Sequence, residues 1–174
     1  MLIVGLTKNR ENRSLVEEEL SYTLAIKGGY RAWASMKHLP PSKSIPTKED
    51  LLPLIDSAGI DGVLTFELKD IKSGSKFEST SRVYSYSPEH PDFYDYITSY
   101  RNEYDPGYTV GSTVLVIESN LYEVIKEEER GRVIFSAVSE TFNPTDDQIE
   151  IGVRDFVDSI YKALKKSGYL QTVK

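Results

Sequence analysis

The side chains that do most enzyme chemistry are scarce in this sequence. There are two histidines, His38 and His90, and no cysteine. Without cysteine there can be no disulfide, thiolate-liganded zinc, iron–sulfur cluster or cysteine nucleophile. His38 stands beside Leu39-Pro40-Pro41. His90 lies in Ser87-Pro88-Glu89-His90-Pro91-Asp92, where a serine–histidine–aspartate set can be written down. No G-x-S-x-G elbow accompanies it, and residues so closely spaced around two prolines have no reason to converge on a metal. Both histidines therefore read as surface-loop residues, and no metal or cofactor is expected. The carboxylates that fall on strands are Glu67, Glu118 and Glu140. Acid–base pairs need two carboxyls at a defined separation. A hairpin closing near Glu127 sets Glu118 opposite Ser136 and Glu140 opposite Val114, so these read as solvent-facing strand positions.

The first basic cluster, Lys8, Arg10 and Arg13, follows the opening strand. Loops at the carboxyl ends of parallel strands, next to helix N-termini, are where α/β proteins hold anions. An anion site at Lys8, Arg10 and Arg13 is accordingly the alternative functional reading. Against it, no G-x-G-x-x-G or G-x-x-x-x-G-K-[ST] cradle is present, and a solvated basic loop is the simpler account.

The least ordinary stretch is aromatic. Seven of the twelve tyrosines lie in one segment: Tyr84, Tyr86, Tyr94, Tyr96, Tyr100, Tyr104 and Tyr108, with Phe93, Arg82 and Arg101 among them. About residues 87–107 no hydrophobic period is visible, and long unpatterned loops in compact domains are commonly functional. Tyrosine and arginine dominate protein interfaces because they bury area while still hydrogen-bonding. A protein or cell-wall partner docking on Tyr84, Tyr86, Phe93, Tyr94, Tyr96, Tyr100, Tyr104 and Tyr108 is one expectation. Rings folded back over a sheet face are the other.

The elements around these residues can be read from pattern. Leu2–Leu6 is a short apolar strand. Ser14 with Glu17 reads as a capping box opening a helix that Gly28-Gly29 ends. Tyr30–Met36 alternates as a second strand. Thr47 and Asp50 begin a second helix, with Pro53 pushing its start towards Asp50. Gly62–Ile71 is a third strand, and β-α-β-α-β order implies right-handed crossovers and parallel pairing. Phe77–Tyr86, Thr109–Tyr122 and Arg132–Thr141 follow as antiparallel strands. A last helix opens at Thr145 and Gln148 and stops at Gly168. The expected fold is α/β, three layers, with a mixed sheet of about six strands and three helices in one domain spanning 1–174.

Composition bounds the rest. At 39% hydrophobic and 28% charged residues the chain is globular in character. Its net charge of -6 disfavours nucleic acid and anionic membrane surfaces. No run approaches the ~20 apolar residues of a membrane span.

Leu2-Ile3-Val4-Gly5-Leu6-Thr7 with Arg10 and Arg13, Ala58-Gly59-Ile60-Asp61-Gly62-Val63-Leu64, Glu118-Ser119-Asn120-Leu121-Tyr122, Ser139-Glu140-Thr141-Phe142-Asn143-Pro144 and the aromatic stretch before Pro106-Gly107-Tyr108-Thr109-Val110 together carry a resemblance. Over nearly its whole length the chain resembles a group of bacterial cell-envelope proteins without assigned function, many of them lipoproteins. Its topology looks like the amino-terminal domain of the translocation protein TolB and the lipoprotein activators of penicillin-binding proteins. The likeness implies a non-enzymatic partner-binding domain, periplasmic or outer-membrane-associated, whose lipid-bearing cysteine lies upstream of Met1. It transfers no functional residue, and a cytoplasmic protein is the alternative.

Overall fold

The computed structural model describes residues 1–39, 45–73, 82–85, 92, 113–125, 130–143 and 149–170. Strand β1 (Leu2–Leu6) is buried throughout and lies inside a six-stranded mixed sheet. It pairs in parallel with β2 (Trp33–Ala34) on one side and β3 (Gly62–Ser73) on the other. Beyond β3 every pairing is antiparallel: β5 (Thr113–Ile125), β6 (Arg130–Asn143) and the edge strand β4 (Arg82–Ser85). The strand order is β2-β1-β3-β5-β6-β4. The α/β class, the mixed sheet and the three helices are as the pattern predicts.

Helix α1 (Arg10–Gly28) starts four residues before Ser14. Asn9 caps it, its Oδ1 accepting from the Asn12 N–H at 3.1 Å. The Ser14–Glu17 capping box does not form. Ser14 sits one turn inside the helix and donates to Glu18 at 2.9 Å, which holds the Glu18 carboxyl below its usual range. Glu17 turns into the interior instead. The helix ends as expected, at Gly29 with φ 69°, a left-handed turn natural to glycine. Val16, Leu20 and Leu24 meet Ile3, Leu64 and Phe66 in one apolar cluster.

Strand β2 is far shorter than Tyr30–Met36, because Ser35–Lys37 coils into a 3-10 turn. The Met36 N–H, which a longer strand would give to the sheet, donates to Glu17 Oε2 at 2.8 Å. Helix α2 (Lys48–Ser57) has the Thr47–Asp50 capping box in full. It therefore begins at Lys48 despite Pro53, which sits inside the helix and forfeits one backbone bond. Helix α3 (Ile149–Lys166) turns off at Gly168, with the Tyr169 N–H donating to Leu164 O.

The first crossover steps from β1 to β2 and the second returns from β2 past β1 to β3, in opposite directions along the sheet, so α1 and α2 cover opposite faces. Helices α1 and α3 share one face over Leu64, Phe66, Leu121 and Phe135. Helix α2 covers Leu2, Val4, Leu6 and Val63 on the other. The Lys27 ammonium joins α1 to α3 through Asp158 at 2.6 Å, a hydrogen bond that raises its pKa.

Ser119 faces the α1–α3 side, buried, and its hydroxyl has no hydrogen-bond partner among the described residues. A buried donor left unpaired costs about 1–3 kcal/mol. Ser119→Ala is expected to raise stability by roughly 1 kcal/mol, read as a higher urea midpoint with unchanged slope. A lower midpoint would show that the hydroxyl is used.

Candidate ligand-binding cleft

Beyond the carboxyl end of β1, on the α1–α3 face, the sheet and the two helices leave a cleft of about 110 Å³. Strand alternation supplies its floor: Phe66 and Leu68 from β3, Leu115 and Ile117 from β5. The amino-terminal halves of α1 and α3 form its walls through Val16, Ile149, Val153 and Phe156. The Phe66 and Phe156 rings meet edge to face with centroids 6.1 Å apart. Among the described residues, three polar side chains line it: Thr7, Asn12 and Thr141. Thr7 Oγ1 accepts from the Asn9 N–H at 3.3 Å. The Asn12 backbone is engaged by the cap, whereas its side-chain amide has no partner among the described residues.

The basic cluster does not assemble here. Lys8 and Arg10 are exposed, but Arg13 points inward and is 1% exposed. Its Nε donates to Glu17 Oε1 at 2.7 Å and its Nη2 to Ser35 Oγ at 2.7 Å. Glu17, fully buried, also accepts from the Gly5 N–H at 2.8 Å and from the Ser35 hydroxyl. One carboxylate thus ties β1, α1 and the turn after β2 together. Position 5 must be glycine for this: a Cβ there would come within 2.6 Å of the Phe66 ring and 2.8 Å of Arg13 Cγ. Arg13 is therefore a structural ion, and the expected trio of Lys8, Arg10 and Arg13 does not converge on an anion.

Two of the strand carboxylates are not solvent-facing either. Glu67 and Glu118 are buried and lie directly opposite each other on β3 and β5, on the face away from the cleft. Lys69 Nζ is 3.3 Å from Glu67 and 3.5 Å from Glu118. Asn120 Nδ2 donates to Glu118 Oε1 at 2.7 Å, and Ser136 donates to Asn120 Oδ1. Glu140 lies opposite Val116, and Glu118 opposite Val138. The hairpin is shifted by two residues from the expected register, through its four-residue connection and a bulge at Leu121/Tyr122. Burial and a shared ammonium make this cluster an internal cross-strand tie.

His38 is exposed, as expected, its ring edge-on to Trp33 at 4.9 Å. No group of three or more metal-ligating side chains occurs among the described residues. Of the aromatic segment, β4 places the backbone of Tyr84 opposite Val138. Tyr86, Phe93, Tyr94, Tyr96, Tyr100, Tyr104 and Tyr108 lie outside the described residues, as do His90 and the Thr145–Gln148 helix start. Among described helices none is long and apolar enough to cross a membrane.

No protein-family model matches the chain, and no curated protein matches it significantly. The cleft residues were missed in the sequence because nothing local marks them. Val16, Phe66 and Phe156 carry the same periodicity as ordinary core positions, and Asn12 sits in a run of polar residues.

Proposed function

We propose that this chain is a non-catalytic binding domain of the bacterial cell envelope, docking a protein or cell-wall partner through the tyrosine-rich segment between Tyr84 and Tyr108. The observation that carries the reading is the placement of that segment's described anchors. β4 is the outer edge strand, paired to β6 through Arg82–Glu140 to Ser85–Ala137. Asp92 forms a further bridge with Arg132 on β6. A tyrosine-rich chain rooted along a sheet edge suits partner capture, since sheet edges and tyrosine side chains are both established means of recognition. The buried ionic groups on the sheet serve internal ties, which supports a binding role over a reaction. The envelope location, periplasmic or outer-membrane-associated, and a lipid anchor upstream of Met1 follow from the resemblance.

Replacing Tyr94, Tyr96 and Tyr100 together by Ser is expected to abolish crosslinked capture of the partner from an envelope extract, with the melting temperature unchanged. Capture equal to that of wild type would refute the docking role. A large fall in melting temperature would make these rings part of the core.

A further inference from the structure

The cleft under α1 and α3 lies over one face of the sheet, not along the β4 edge, and its shape and chemistry describe a different ligand from a docked partner. We propose that it binds a small neutral amphiphile: an apolar ring or branched alkyl group of about six carbons bearing one hydroxyl or carbonyl. Size sets the apolar part. At about 110 Å³ the cleft approaches the dry cavity of about 150 Å³ that takes up benzene in an engineered protein. Phe66, Phe156, Val153 and Ile117 offer water nothing to bond with, and a retained water needs two to four polar partners.

Asn12 sets the polar part. Its amide borders the cleft, offers both a donor and an acceptor, and has no partner among the described residues. Thr7, partly buried beside it, adds a hydroxyl. The ligand head is neutral because, among the described residues, no charged side chain lines the cleft to pair with an ion. The cleft opens beyond the carboxyl end of β1, at Thr7, and over the middle of β3, and the end of a parallel strand is where open α/β sheets hold ligands.

The test is a titration of isotope-labelled protein with cyclohexanol, benzene and cyclohexanecarboxylate, following backbone amide shifts. The expected result is saturable shifts at Asn12, Val16, Ile117 and Val153, with cyclohexanol bound roughly 3–10-fold more tightly than benzene, the worth of one net hydrogen bond. Asn12→Leu should erase that preference while benzene still binds. Val16→Trp should abolish binding of all three. Should Val16→Trp fail to fold by circular dichroism, the Asn12→Leu comparison decides alone. Absence of saturable shifts, shifts scattered over the surface, carboxylate bound better than the alcohol, or an unchanged preference in Asn12→Leu would each overturn the assignment.

Discussion

Glu17→Gln is expected to cost about 3–5 kcal/mol of stability, the range for stripping the counter-ion from a buried charge. For a chain of this length that is a fall of roughly 6–20 °C in melting temperature. The reason is geometric. Arg13 is 1% exposed, and Glu17 receives its guanidinium, two backbone N–H groups and the Ser35 hydroxyl. Glutamine keeps the shape but not the charge, and its NH₂ must point at groups that are themselves donors. Arg13→Met in the same chain should recover much of the loss, because a buried ion pair replaced on both sides by neutral groups is close to neutral in stability. Calorimetry of the two single variants and the double variant measures this. Additive losses would mean that Arg13 and Glu17 are not energetically coupled.

The second large effect is expected at Lys69. Glu67 and Glu118 oppose each other on adjacent strands, each almost wholly buried, with the Lys69 ammonium between them. Lys69→Met leaves two facing carboxylates without that cation. The expected loss is roughly 2–3 kcal/mol, below the full cost of breaking a buried pair because the Lys69 side chain is 30% exposed. Glu118→Gln added to Lys69→Met should restore most of it, since one of the two like charges is then gone and an amide can still accept from Asn120. Urea unfolding of both variants reads the rescue directly. A double variant no more stable than Lys69→Met would show that the facing carboxylates do not repel, and that the cross-strand tie is held by other contacts.

Local signals in the sequence were sufficient wherever the physics is local. The Thr47–Asp50 capping box spans three residues and closes on itself, so α2 starts where that pair says it must, with Pro53 overruled. Gly29, Gly59 and Gly168 adopt positive φ at the ends of the three helices, a backbone state that few other residues enter cheaply. The alternation of Leu64 and Phe66 with Thr65 and Glu67 separates the two faces of β3, and β-α-β-α-β order with a later hairpin implies a parallel half and an antiparallel half.

Where side chains bond across distance, local pattern misled. Ser14 and Glu17 have capping-box spacing, yet Glu17 is claimed by Arg13, Gly5, Ser35 and Met36, three of which lie more than ten residues away or in another element. The same claim shortens β2 and removes Arg13 from the basic loop. Register is equally non-local: Glu67 meets Glu118 through the β3–β5 pairing, and a bulge at Leu121/Tyr122 with a four-residue connection moves Glu118 from Ser136 to Val138. The cleft requires five elements at once, and its residues are individually indistinguishable from core. The sequence by itself determined the elements, their order and the two faces, because those depend on backbone preference and period. The tertiary structure alone decided which charges are paired and where an opening is left, because both depend on which distant side chains arrive at the same point.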